Sequence, residues 1–370
     1  MLVRYYDQPS QQSYNIPIGD IEVASKPTLM ARQTSNNTRL SFKILQLADL
    51  HYTGDPSFRC VDKPPKDILD SSSCTEQTMT RFIANLLDFE NPDFVVFSGD
   101  NVDTRAANYH QLALQAFVKS VEERELPFSI ILGNHDTDEG LTKDAIFTAV
   151  IPKPQSYTKW GPTNVDGAGN YVLDVKAPTF GPWGIAGSLQ FRMYFLDSHA
   201  DRNSSEFPLS ASKYEWIQPS QIEYYKFLAS ENAASVPSVM FFHIPIPEYA
   251  FTQLISGERH EGVGAATVNS HLFSTLEDVG DVKATFVGHD HRNSQCSNRG
   301  GIQLCYGGGT GLGSAYNEKW LRRRARVIEW SSDGVNDTRI ETWSRLHGNL
   351  SERHHFQVLY SAHGDLFGDG

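Results

Sequence analysis

Past residue 40 the chain alternates short apolar runs with stretches of helical periodicity. Residues 42–47 (FKILQL) are an apolar run between polar neighbours, the pattern of a buried strand. Residues 76–89 (EQTMTRFIANLLDF) repeat apolar positions at helical spacing behind Thr75, a suitable N-cap. Residues 93–98 (DFVVFS) predict a second strand, 109–121 a second helix and 128–132 (FSIIL) a third strand. Strand–helix–strand–helix–strand with connections of this length predicts parallel βαβ units. Further on, strand-like runs fall at 170–175, 191–197, 239–242, 282–287, 325–330 and 339–343, and 219–229 suits a helix. No repeat is visible. The expected class is α/β, a β-sandwich flanked by helices, in one domain over 41–346. Residues 1–40 read as an irregular arm and 347–370 as a polar tail.

Length and composition narrow this only a little. A chain of 370 residues allows two domains, or one large α/β domain with insertions. Its 39% hydrophobic and 21% charged residues exclude both a disordered chain and a membrane bundle. No run of about 18 apolar residues offers a membrane span. The net charge of −12 argues against a nucleic-acid partner, which wants a basic face. It leaves room for a small phosphorylated substrate, because a bound metal can reverse the local charge. Oligomeric state is not legible.

The cysteines fall as two short-range pairs, Cys60 with Cys74 and Cys296 with Cys305, each flanking a loop that a disulfide could close. Four cysteines allow three connectivities. A zinc site is the rival reading, although no C-x-x-C unit is present. Disulfides would place the protein in an oxidising compartment, and sequons at Asn36, Asn203, Asn336 and Asn349 agree. Residues 1–31 contain no apolar signal core. The expectation is therefore conditional: cytoplasmic if the chain is full length, secreted or luminal if a signal was removed.

The chemistry gathers where the predicted strands end. The first strand leads into Asp49-Leu50-His51, the second into Gly99-Asp100-Asn101-Val102-Asp103, and the third into Gly133-Asn134-His135-Asp136. The run at 239–242 ends at His243, and that at 282–287 at Gly288-His289-Asp290-His291. Strand carboxyl ends are where α/β proteins place ligands. Each motif alone is ordinary in turns and cores, but five in succession, each behind a strand, call for a common site. Carboxylate, imidazole and amide oxygen without thiolate suit Fe, Mn, Zn or Mg. Asp100, on the central turn, is the best bridging candidate, and the glycines before Asp100, Asn134 and His289 would let the backbone turn sharply.

These motifs resemble the signature of the calcineurin-type metallophosphoesterases over about residues 42–346. The stretches LQLADLHYTG, PDFVVFSGDNVD, ILGNHD, YFLDSH, FFHIPIPEYA, VGHDHRNSQC and IQLCYGGG, with the four cysteines, look like the plant and fungal purple-acid-phosphatase-like subgroup. The resemblance implies a four-layer sandwich carrying a dinuclear site, with two divalent or trivalent ions as cofactors. One ion would be held by Asp49, His51, Asp100 and His291, the other by Asp100, Asn134, His243 and His289. Asn134 and His135 would meet the phosphate, and Asp103 would hold His135 in place. A tyrosine found at or near the position of Asp103 in true purple enzymes is missing, so no ferric–tyrosinate centre is expected. The implied activity is hydrolysis of a phosphate monoester by metal-activated hydroxide, with a phosphodiesterase or an inactive metal-binding scaffold as alternatives.

Other features stay outside the signature. His260 is the preferred substrate-side residue beyond the motifs, with His199 and Tyr249 as further candidates. The glycine-rich stretch 307–313 reads as a loop at the rim of the site, and Arg322, Arg323 and Arg324 as a solvated strand edge.

Overall fold

The computed structural model describes residues 13–363 apart from 18, 19, 21–24, 35, 37, 62–73, 203, 204, 206–210, 233–235 and 313–320. Two mixed sheets face each other. In the first, β3 (Leu40–Leu47), β4 (Phe94–Ser98) and β5 (Phe128–Ile131) run parallel, and β13 (Arg324–Ser332), β14 (Asp337–Leu346) and β15 (Asn349–His363) continue antiparallel from β3. The short β2 (Arg32–Gln33) also pairs with β3.

The second sheet has the order β1 (Leu29–Met30), β6 (Tyr171–Lys176), β7 (Leu189–Phe195), β8 (Ser238–Phe241), β10 (Val282–Val287), β12 (Ile302–Tyr306), β11 (Cys296–Arg299) and β9 (Gln253–Ser256). Strands β7, β8, β10 and β12 are parallel neighbours.

Side chains of alternate parity divide the strands between two environments. Phe42, Ile44, Phe94 and Val96 pack across the sandwich on Phe191, Met193, Phe241 and Phe286. Leu45, Leu47, Val95 and Phe97 point outward against α1 (Glu76–Glu90), α2 (His110–Glu122) and α3 (Lys143–Val150). On the far side, Tyr194, Met240, Phe242 and Leu304 meet α4 (Pro219–Ser230) and α5 (Leu272–Val279). Helix, sheet, sheet, helix gives the four layers expected. Helix α1 starts where Thr75 predicted, with Thr78 Oγ1 accepting the Thr75 N–H at 3.2 Å.

Two corrections concern the ends. The segment read as a tail contains β15, hydrogen-bonded along β14. It is an edge strand with one largely exposed face, so SERHHFQ carries no apolar run. The segment read as an irregular arm contributes β1, paired with β6, and β2. A third correction concerns the arginines: Arg323 and Arg324 are buried, and Arg324 Nη1 donates to Glu258 Oε2 (2.7 Å) and Ser294 Oγ (2.8 Å). Two disulfides, Cys60–Cys74 and Cys296–Cys305, realise the local pairing.

Candidate metal centre

The loops after β3, β4, β5, β8 and β10 converge at the carboxyl ends of both sheets. Asp49, His51, Asp100 and His291 form one group whose candidate ligand atoms lie within 4.8 Å of one another; Asp100, His243 and His289 form a second. Asp100 belongs to both. His51 Nε2 is 3.1 Å from His291 Nε2 and 3.6 Å from Asp100 Oδ2. His291 Nε2 is 3.6 Å from Asp49 Oδ1. On the other side His243 Nε2 is 3.3 Å from Asp100 Oδ2, and Asn134 Oδ1 lies 2.8 Å from His289 Nδ1. His243 Nδ1 donates to the Ser98 carbonyl (2.9 Å), which fixes the tautomer and turns Nε2 inward.

The backbone pays locally for this convergence. Asp49 (φ 55°), His51 (50°), Asp100 (51°) and His289 (71°) all occupy the left-handed region, which disfavours side-chain-bearing residues. They persist because neighbouring loops hold them. His51 N donates to Asp100 O (2.9 Å), Asp49 N to Gly99 O (3.1 Å), and Gly311 N to Asp49 O (3.1 Å). Gly309 N donates to His291 O (3.1 Å), so the glycine-rich stretch does border the site; Gly313 lies outside the described residues. Of the motif glycines, Gly99 (φ 93°) makes the expected turn, whereas Gly133 and Gly288 serve close approach. A Cβ on Gly133 would overlap Asp100 Oδ1 and lie 2.7 Å from His243 Nε2, and one on Gly288 would lie 3.1 Å from both Asp49 oxygens.

The carboxylates of the third and fifth motifs, Asp136 and Asp290, act as staples. Asp136 Oδ1 accepts the N–H groups of Asn101 (2.8 Å) and Val102 (2.9 Å), while Oδ2 accepts Gly133 N–H (2.7 Å). Asp290 accepts Gly264 N–H (3.1 Å) and Tyr306 O–H (2.6 Å). Ser198 Oγ accepts the N–H groups of His243 (3.2 Å) and Ile244 (2.8 Å), tying the loop after β7 to that after β8.

Burial pushes the Asp49 carboxyl up to about 7, against the pull of His243. Burial acts the same way on Asp100, but the imidazoles of His243 and His51 outweigh it and hold that carboxyl well below the usual range. His289 is pushed down to about 3 by burial and by His243, so its ring is neutral, the state a metal ligand needs. Asp100 Oδ2 and His243 Nε2 are buried and face each other at 3.3 Å. Buried oxygens and ring nitrogens aimed at shared points fit a pair of hard or borderline cations.

His135 stands at the edge of the groups, its ring centroid 5.4 Å from that of His51. Its N–H donates to Asp100 Oδ1 (2.9 Å). Its Nδ1 meets Asp138 Oδ2 at 2.7 Å, which corrects the role given to Asp103. Asp103 Oδ2 instead lies 3.6 Å from His51 Nδ1 and 3.5 Å from Arg105 Nη2. The turn through Thr137 to Gly140 folds Asp138 back onto the ring. Burial lowers the His135 pKa, but the carboxylates of Asp100 and Asp138 raise it further, and the balance is upward.

His260 lies on the loop before Gly264. Its ring faces Glu258 (Nε2 to Oε2 3.4 Å), while the part of its loop that lies against the site is Gly264, where a Cβ would stand 2.9 Å from His289 Nε2. Tyr249 is buried on Thr285 (2.7 Å), and His199 meets Gln221 (2.8 Å) and Glu215 (3.5 Å). Sequence reasoning missed Tyr214, whose ring stands edge-on to His289 at 4.6 Å and whose hydroxyl meets Lys213 Nζ at 2.6 Å. It follows no apolar strand and carries no motif. Asp138 carried no signal either, because no residue type announces the turn at Glu139 (φ 55°) that folds it back.

Fold and site together are those of a metallophosphoesterase. The chain belongs to the calcineurin-like phosphoesterase family, whose profile matches residues 42–293. It is 32% identical over 343 residues to "Probable inactive purple acid phosphatase 14" of Arabidopsis thaliana, covering 85% of this chain and 83% of that one. It is 33% identical over 383 residues to phosphatase DCR2 of Saccharomyces cerevisiae, covering 97% of this chain and 62% of that protein. A dimetal phosphatase from Danio rerio shares the fold with a TM-score of 0.55 at 14% identity, over 86% of this chain and 98% of that one.

Proposed function

We propose that this chain hydrolyses phosphate monoesters with two bound metal ions. The observation that carries the reading is Asp100, a buried carboxylate shared by two separate ligand groups. Asp49, His51, Asp100 and His291 would hold one ion; Asp100, Asn134, His243 and His289 would hold the other. When bound, such a pair supplies water ionised near neutral pH and positive charge beside the phosphoryl oxygens. The chain's own part is positioning and proton transfer. Asp138 occupies His135 Nδ1, which leaves Nε2 to meet the phosphate or to pass a proton to the leaving oxygen. Asp103 steadies His51 through Nδ1, the service outer carboxylates give to ligating histidines. A phosphorylated small molecule is the partner this supports, and the two disulfides support an oxidising compartment.

The name "probable inactive" carried by plant relatives favours a second reading, a metal-binding protein without turnover. One experiment separates the two readings. Protein stripped by chelation is reloaded with Fe, Mn, Zn or Mg in turn and assayed on p-nitrophenyl phosphate and on bis(p-nitrophenyl) phosphate. Faster turnover of the monoester is expected. Faster turnover of the bis-ester would make the protein a diesterase, and two bound ions with no turnover of either would make it a scaffold.

A further inference from the structure

A cleft of about 130 Å³ opens beside the His51 side of the centre, lined by Thr53, Asp55, Phe58, Arg105 and Tyr109. We propose that this cleft receives the leaving group of the ester and selects an aromatic ring, so that the preferred substrate is a phenolic phosphate. The inference rests on the phosphatase reading above.

Position is the first argument. Thr53, Asp55 and Phe58 follow directly on His51, and Arg105 and Tyr109 on Asp103, so both walls are continuations of loops that build the site. Arg105 Nη2 reaches Asp103 Oδ2 (3.5 Å), and Asp103 reaches His51 (3.6 Å), whose ring faces that of His135. The cleft therefore lies on the side from which His135 would protonate a leaving oxygen.

Chemistry is the second. The Arg105 guanidinium sits 5.5 Å from the centroid of the Phe58 ring, and Tyr109 adds a second aromatic side chain to the lining. Flat π-faces and a guanidinium plane favour a flat guest. Asp55, ionised and holding Ser57 N–H (2.9 Å) and O–H (2.6 Å), places a negative charge opposite Arg105. A second phosphate on the leaving group would meet that charge, whereas a neutral ring would not. A cavity of roughly 150 Å³ takes a benzene, so the size suits a single ring.

The third argument is rigidity. A Cβ on Gly54 (φ 84°) would lie 2.7 Å from Ala113 N and 2.9 Å from Tyr109 O, so the two walls are docked backbone to backbone. Phe58 is clamped in turn: its carbonyl accepts Glu76 N–H (2.9 Å), and the Cys60–Cys74 disulfide closes the segment behind it, with Cys60 N donating to Cys74 O (3.1 Å). The first disulfide thus holds one wall of the cleft.

The test compares benzylphosphonate with ethylphosphonate as inhibitors of the metal-loaded protein, and phenyl phosphate and a tyrosine-phosphorylated peptide with glycerol 2-phosphate as substrates. Inhibition by benzylphosphonate is expected to be about five- to tenfold tighter in the wild type, as one stacked ring allows. That ratio should fall towards one in Phe58→Ala and Arg105→Ala. Arg105→Lys keeps the charge but not the plane, and should lose most of the ratio too; thermal melting of each variant shows that it folds. Whichever of phenyl phosphate and the peptide is preferred identifies the source of the ring. A wild-type ratio near one, or a ratio that survives all three variants, overturns the cleft. A preserved ratio for the phosphonates with no hydrolysis of any ester supports the cleft and overturns the phosphatase reading instead.

Discussion

Asp100→Asn is the most informative single substitution. The amide keeps the shape of the side chain and an oxygen to accept His135 N–H, at present a 2.9 Å bond to Oδ1. What it removes is the charge shared by both ligand groups. Taking structural zinc sites as a guide, which bind with about 10–16 kcal/mol, each of four ligands contributes roughly 2.5–4 kcal/mol. That corresponds to about two to three decades of affinity lost at each site. With free metal at about one hundred times the wild-type Kd, each ion stabilises the native state by about 2.7 kcal/mol. Unfolding entropy near 2.1 cal/mol/K per residue gives about 0.8 kcal/mol/K for 370 residues. Each ion then raises Tm by about 3–4 °C, and the pair by about 7 °C, while the variant gains almost nothing at the same concentration. Elemental analysis after desalting and thermal melts with and without chelator measure both quantities. A variant that keeps two ions and the full shift refutes the ligand assignment.

Asp138→Asn should keep both ions but lower kcat by about tenfold or more, because His135 Nδ1 loses its 2.7 Å carboxylate partner; an unchanged kcat would return the orienting role to Asp103. Gly133→Ala should abolish metal binding as measured by elemental analysis, since its Cβ would drive Asp100 and His243 apart, and should cost about 1–3 kcal/mol of stability in denaturant melts. Glu76, buried at the start of α1 where its Oε2 accepts the Thr53 N–H (2.6 Å) and O–H (2.8 Å), is pushed by that burial up to about 7. Its folded pKa lies above the unfolded value near 4.5, so the folded state holds the extra proton and the stabilisation is lost as pH rises from about 4.5 to 7. Glu76→Gln removes this dependence, and its stability relative to wild type should grow by about 3 kcal/mol across that window. Parallel pH profiles for the two proteins would show that Glu76 titrates normally.

The elements legible in the sequence are those with a one-sided or wholly apolar environment. Strands β3, β4, β5 and β10 carry apolar runs because both of their faces are covered, and α1 shows its periodicity because one face packs on the sheet. Helices α3 and α5, of eight residues each, are too short for a period to stand out, and the mostly exposed β15 hides its strand character in polar residues. At the site, every ligand position follows a readable strand, so the candidates could be gathered from the sequence, and the family resemblance divided them between two ions. Which carboxylate holds His135 could not. Asp103 and Asp138 both lie near the ring, and the choice rests on the turn at Glu139 (φ 55°), which no residue type announces.

The charge of −12 and the left-handed backbone belong to one account. Left-handed φ costs roughly 1–2 kcal/mol per residue, so four such residues together cost about 4–8 kcal/mol, a sizeable share of the 5–15 kcal/mol by which domains are stable. That cost has to be offset by contacts that do not themselves take the cation positions. Asp136 and Asp290 meet this need from behind the loops, where Asp136 gathers three backbone N–H groups, Asp290 takes the Gly264 N–H and the Tyr306 hydroxyl, and each is shifted up to about 6, chiefly by burial. Of the motif carboxylates, Asp49 and Asp100 are the two in the ligand groups. Two negative charges would leave a bound pair of cations of +2 or more with positive charge to spare, within a surface whose balance is acidic. A compact phosphate would be drawn into such a centre, whereas a polyanion would be repelled by the surface around it.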